Sequence, residues 1–259
     1  MRRGMEGTDL RGRVSVGAHI HERRPGLWRL TIPAGLEGAY HLAQLDDYGG
    51  RARSNFLWHP PVRLQVRSRA SALDLPGTWG FGWWNDPFSA QLGLGGAQRR
   101  LPALPNAAWF FYASPPNYLA LTDDHPAQGF LAATFAAPKL SPALLALGVP
   151  LVPSLLWAPT ARCVRRLGRR IVREDAQVLE IDVTAWHDYA LIWHTDEVRF
   201  LVDEQVCSAT PISPDGPLGL VMWIDNQYMA FGPDGHLRLG NLAHPEGWME
   251  LSDLEVESL

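Results

Sequence analysis

The sequence has little of several things that would direct its function. Its two cysteines, Cys163 and Cys207, make no disulfide framework and no metal-ligand spacing. One structural disulfide or two free thiols remain, and free thiols are the expectation. No His-x-x-x-His or carboxylate–histidine cluster stands at ligand spacing, so no metal is expected. No cofactor is expected either. Gly93-Leu94-Gly95-Gly96 lacks the lysine and the strand–helix setting of a phosphate loop, and Gly-x-Ser-x-Gly is absent. Charged residues make up only 19% and the net charge is −4, which gives no electrostatic case for nucleic acid. No apolar run is long enough to span a bilayer. Arg2 and Arg3 in Met1–Asp9 are followed by no apolar run of secretory-signal length, so the expectation is a cytoplasmic protein. Acidic residues are missing from two whole stretches, between Asp86 and Asp123 and between His125 and Arg173.

What is abundant is aromatic and turn-forming: 11 Trp, 24 Gly and 21 Pro in 259 residues. Few long helices survive that many prolines, whereas numerous short strands between turns suit them. Strand-like runs recur at Leu27–Ile32, Tyr40–Leu45, Val62–Arg69, Trp79–Trp84, Ala107–Tyr112, Gly129–Phe135, Val178–Val183, Tyr189–Trp193, Glu197–Val202, Leu218–Phe231 and Met249–Val256. All-β sandwiches reach this length as one unit, so residues 1–259 are expected to form a single β-sandwich domain. An insertion of one or two short helices interrupts the pattern at 138–173. It is apolar from Leu140 to Trp157, then carries Arg162, Arg165, Arg166, Arg169, Arg170 and Arg173. Two readings stand for it. One is a helical hairpin with its arginines in water; the other is an apolar lid, or a basic surface that meets a membrane or an acidic partner.

Three blocks carry a resemblance. The first is Leu64-Gln65-Val66-Arg67-Ser68-Arg69 followed by Pro76-Gly77-Thr78-Trp79-Gly80-Phe81-Gly82-Trp83-Trp84. The second runs from Trp186-His187-Asp188 through Leu191-Ile192-Trp193 to Leu201-Val202-Asp203. The third is Trp248-Met249-Glu250-Leu251-Ser252-Asp253-Leu254-Glu255-Val256. Together they resemble the family 16 glycoside hydrolases, the laminarinase and β-glucanase group. The resemblance implies an all-β, two-sheet antiparallel sandwich of the jelly-roll, concanavalin A-like kind with a cleft across one sheet. Family members carry Glu-x-Asp-x-x-Glu on the strand after the Gly-Thr-Trp strand, because retaining hydrolysis needs two carboxyl groups about 5–5.5 Å apart. The corresponding strand here reads Asn106-Ala107-Ala108-Trp109-Phe110-Phe111-Tyr112-Ala113-Ser114 and has no carboxylate at all. The family's double displacement is not expected.

Two function classes follow. One is a ligand-binding sandwich that keeps a concave aromatic cleft for an oligosaccharide or small molecule. Its expected lining is Trp83, Trp84, Asn85, Trp109, Tyr112, Asn117, Tyr118, Trp223, Asn226, Gln227 and His59, with about half of the aromatics turned into the core instead. The other is an enzyme with changed chemistry (isomerase, cyclase or lyase) on a small apolar substrate. Asp225 or Asp86 would then be the acid/base, since a carboxylate in a strand interior is costly unless it is paired or serves a site. An open, polar-rimmed cleft favours sugar, and an enclosed apolar one favours the enzyme.

Overall fold

The computed structural model describes residues 10–87, 100, 102–141, 143, 145 and 149–259. The strands are β1 (Arg11–Val14), β2 (His19–Arg24), β3 (Leu27–Ile32), β4 (Leu42–Asp46), β5 (Val62–Ala70), β6 (Thr78–Trp84), β7 (Ala107–Ala113) and β8 (Gly129–Ala136). They continue with β9 (Arg173–Val178), β10 (His187–Trp193), β11 (Val198–Val202), β12 (Gln205–Thr210), β13 (Gly219–Asp225), β14 (Gln227–Phe231), β15 (Leu237–Asn241) and β16 (Gly247–Ser258). Two seven-stranded sheets hold most of them. The first orders β1-β4-β13-β6-β7-β8-β9, the second β12-β11-β10-β5-β16-β3-β2, and β14-β15 form a separate pair. Every ladder between these strands is antiparallel, so the chain is the expected two-sheet antiparallel jelly-roll sandwich.

Alternation along the strands shows which face each side chain takes. In β5 Val62, Leu64, Val66, Ser68 and Ala70 are buried, while the arginines between them face outward. The inter-sheet core joins Trp79, Phe81, Trp83, Phe110 and Phe130 of the first sheet to Tyr189, Trp193 and Phe200 of the second. β7 and β13 depart from the half-wet pattern, because every residue in both is buried. Their second face carries its own apolar cluster of Leu42, Trp109, Phe111, Leu131, Val221 and Trp223, on the side of the sheet away from the core.

Two strand expectations change. The Val178–Val183 run is not a strand: β9 ends at Val178, and Leu179 and Val183 turn into the inter-sheet core from a loop. Their alternation reflects burial of loop side chains, which periodicity alone cannot distinguish from a ladder. The Leu218–Phe231 run divides at Asn226 into β13 and β14.

The insertion between β8 and β9 contains a 3-10 turn at Val149–Leu156 and the helix α1 (Ala158–Ile171). Pro159 opens the helix, and Arg169 and Arg170 sit in its last turn, where cations complement the helix dipole. Not all of its arginines are solvated. Arg165 is buried, donates from Nη1 to the Ala120 and Phe231 carbonyls (2.6 and 2.7 Å) and pairs through Nη2 with Asp123 (2.5 Å). It also lies 5.3 Å from the Tyr118 ring centroid. One side chain thus ties the insertion to the loop after β7 and to the end of β14. Both cysteines are free, Cys163 exposed and Cys207 half-buried. Residues 1–9 and the Gly93–Gly96 segment lie outside the described residues. Among those described, no helix is long and apolar enough to cross a membrane.

Replacing Arg165 with Ala removes a buried, charge-assisted anchor worth about 2–4 kcal/mol locally. Chymotryptic cleavage within 138–173 should accelerate several-fold while cooperative unfolding of the sandwich stays unchanged. An unaltered cleavage pattern would contradict this anchoring role.

Candidate functional site

The candidate site is the outer face of the first sheet, and β6 builds it. Trp79, Phe81 and Trp83 point into the core, which leaves Thr78, Gly80, Gly82 and Trp84 on the outer face. The two glycines make room for rings from neighbouring strands. A Cβ on Gly80 would meet the Phe110 carbonyl oxygen and lie 3.0 Å from the Trp223 ring. One on Gly82, whose φ is +149°, would lie 2.6 Å from Trp109 Cα. The Trp223 ring therefore settles over Gly80, the β7 backbone closes on Gly82, and the Trp109 and Trp223 centroids stand 5.5 Å apart. Phe111 stacks on both, at 5.4 and 5.8 Å, and Trp84 lies nearly parallel to Trp223 at 6.5 Å and 8°. Tyr40, Leu119 and Phe135 pack around this floor, and Trp109 and Trp223 are only 7% and 8% exposed. Trp109 Nε1 is buried with no hydrogen-bond partner among the described residues.

Polar groups stand at two places on this face. At the C-terminal end of β13, Thr78 Oγ1 donates to Asp225 Oδ1 (2.7 Å) and accepts from Trp223 Nε1 (3.0 Å). The Gln227 N–H also donates to Asp225 Oδ1, at 3.2 Å. No arginine, lysine or histidine pairs with Asp225 among the described residues, and burial pushes its carboxyl up to about 7. Burial, and then the Asp225 charge, raise the Tyr40 phenol. Towards the other end, Gln44 Nε2 donates to Asp46 Oδ2 (2.8 Å) and to the Tyr48 hydroxyl (3.1 Å). Trp84 Nε1 donates to the same hydroxyl at 2.8 Å. Asp46 differs from Asp225 in having a cation, Arg13, at 3.1 Å.

The structure brings Trp84, Trp109, Trp223 and Asp225 together and distributes the other expected residues elsewhere. Trp83 and Tyr112 are corrected: alternation turns both into the inter-sheet core, Trp83 beside Trp193 and Tyr112 stacked on Trp79. Asn226, Asn117 and Asn85 are corrected too, because their amides bracket backbone. Asn226 is fully buried, accepting from His41 N and donating to the Ala39 and Leu242 carbonyls. Asn117 accepts from Met229 N and donates to the Ser114 carbonyl. Asn85 joins Leu104 and Asn106. Asp86 is buried against Arg100, so its carboxylate already has a cation and is a poor acid/base. Gln227 begins β14, Tyr118 lies against Arg165, and His59 is exposed ahead of Pro60. Sequence reasoning missed Phe111, Thr78, Tyr40, Gln44 and Tyr48. Alternation from Trp109 would have found Phe111, and alternation from Trp84 would have found Thr78. Nothing local marks Tyr40 or Tyr48.

Leu156 and Trp157 are exposed, and residues 142, 144 and 146–148 of the Leu140–Trp157 segment lie outside the described residues. No group of three or more metal-ligating side chains gathers among the described residues.

The fold defined by this architecture is a two-sheet antiparallel, concanavalin A-like sandwich. No protein-family model matches the chain, and no curated protein matches it. Solved structures do. LamA from Z. galactanivorans in complex with laminaritriose and laminaritetraose is 9% identical, with 100% of this chain and 95% of that one covered at a TM-score of 0.50. LamAcat from Zobellia galactanivorans is 10% identical, with 100% and 94% covered, also at 0.50. An endo-β-1,4-glucuronan lyase from the fungus Trichoderma reesei is 10% identical over 96% and 87%, at 0.47. At such identities the likeness establishes the fold alone.

Because Asp225 binds a proton more tightly folded than unfolded, native stability falls as pH rises from about 4 through about 7. Asp47, raised to about 6 by burial, contributes with the same sign. Asp225→Asn keeps the Oδ1 acceptor for Thr78 and removes the titration. Thermal or urea unfolding should find the variant more stable above pH 7, by up to about 4 kcal/mol, and level with the parent below pH 4. Equal pH profiles for the two proteins would remove Asp225 as a titrating group.

Proposed function

We propose that the outer face of the first sheet is a concave ligand site for a small, largely apolar molecule, and that Asp225 hydrogen-bonds or protonates its one polar group. The observation that carries this reading is the floor itself. Four aromatic rings from three adjacent strands are packed together and largely shielded from water, with a carboxyl at their edge that has no cation partner among the described residues. An apolar molecule gains on leaving water for such a surface, and a protonated carboxylic acid can donate to a carbonyl or hydroxyl oxygen there. Trp109 Nε1 offers a second donor.

The same geometry extends to turnover. A carboxyl that titrates near neutrality can give and take a proton, which is what an isomerase, cyclase or lyase step on such a substrate requires. Retaining glycoside hydrolysis is not supported, since β7 offers no carboxylate to act as nucleophile or acid. An oligosaccharide is the second reading. It draws on the fold, whose solved neighbours include one with bound laminaritriose and laminaritetraose, and on Trp84, which stays half-exposed at the edge of the floor.

A thermal-shift titration separates these readings. Ring compounds carrying one carbonyl or hydroxyl should raise the melting temperature with concentration. Asp225→Ala should weaken that response about tenfold, since it removes the donor that Asp225→Asn would keep in its amide. A shift with laminari-oligosaccharides alone, indifferent to Asp225→Ala, would overturn the apolar reading in favour of a lectin-like one.

A further inference from the structure

The helix α1 leaves an amphipathic face unpartnered. Ala161 and Arg165 turn inward, while Val164 and Leu167 are 42% and 55% exposed. Trp157, seven residues before Val164, is 67% exposed, and Leu156 beside it is 75% exposed. Val164 and Leu167, three residues apart, share one side of the exposed half of α1, and Trp157 stands exposed just ahead of its first turn, in extended conformation. Arg170, three residues on from Leu167, and Arg166, across the exposed half of the helix from Val164, are exposed and have no ion-pair partner among the described residues. The nearby acids are already engaged: Asp123 holds Arg165 and Arg169, and Asp234 holds Arg238. The chain as a whole is acidic, at −4, yet no acid occurs between His125 and Arg173.

We infer that this face of α1 is a docking surface for an anionic lipid bilayer. A helix lying in a membrane interface needs an apolar stripe that sinks to the headgroup–acyl boundary and flanking cations that reach anionic headgroups. Trp157 suits that boundary, because an indole is apolar in body with a polar N–H tip. An acidic protein would account for Arg166 and Arg170 but not for four exposed apolar side chains on the same segment. The inference is independent of the ligand site, which uses none of these residues.

The test is flotation of the full chain with vesicles of phosphatidylcholine alone and of equal parts phosphatidylcholine and phosphatidylglycerol. The protein should float only with the acidic vesicles. Each arginine near such a surface contributes about a fivefold factor, so removing Arg166 and Arg170 should lower partitioning roughly thirtyfold, and Arg166→Glu with Arg170→Glu at least that far. Trp157→Ser with Leu167→Ser should also weaken binding and make what remains salt-labile. All four positions are exposed, so unchanged thermal unfolding of the variants confirms that they fold. Three outcomes would overturn the inference: no flotation, equal flotation with both vesicles, or polyglutamate binding that matches vesicle binding and ignores Trp157→Ser.

Discussion

The site depends on one steric constraint, the missing side chains of Gly80 and Gly82 on the outer face of β6. That absence lets the Trp223 ring lie over Gly80 and the β7 backbone close on Gly82, and Trp109, Phe111 and Trp84 complete the layer. A Cβ at Gly80 would meet the Phe110 carbonyl and the Trp223 ring, and one at Gly82 would lie 2.6 Å from Trp109 Cα, so β6 and β7 could not keep their spacing. The same strand feeds Trp79, Phe81 and Trp83 into the sandwich core. Seven residues thus serve both layers, and a change of register by one would exchange core and site.

The electrostatics follow from the packing. A face covered by indole and phenyl rings solvates a carboxylate badly, so a carboxyl placed there is either paired or proton-bound. Asp46 and Asp86 take the first course, beside Arg13 and Arg100. Asp225 takes the second, held by Thr78 and a backbone N–H but by no cation among the described residues. Hydroxyl and amide donors favour its ionised form, yet burial outweighs them. The carboxyl on this face with no cation partner among the described residues thus stands on β13, while β7 carries none.

Much of the fold was legible in the sequence because sandwich strands announce themselves by alternation and by turn residues. The β6 run and the β10–β11 hairpin are nearly where the pattern puts them. The site was legible only in part, and the reason is parity. Trp83 and Trp84 are adjacent and look alike in sequence, but one belongs to the core and the other to the outer face. The asparagines misled for a different reason. Asn85, Asn117 and Asn226 look like ligand contacts because they are polar in apolar surroundings, and each is there to satisfy backbone groups where strands end. Arg165 misled likewise: one of six arginines in a basic run, it alone is buried, and only the loop and β14 carbonyls that it meets distinguish it.

The central claim is that the aromatic layer holds Asp225 neutral below about pH 7. Carbon-13 NMR titration of the aspartate carboxyls, with the Asp225 signal assigned by its loss in Asp225→Asn, tests it most directly. A midpoint near 7 would support a water-poor site with a proton to exchange. A midpoint near the ordinary aspartate value of about 3.9 would mean that water reaches the carboxylate freely, and would contradict the account.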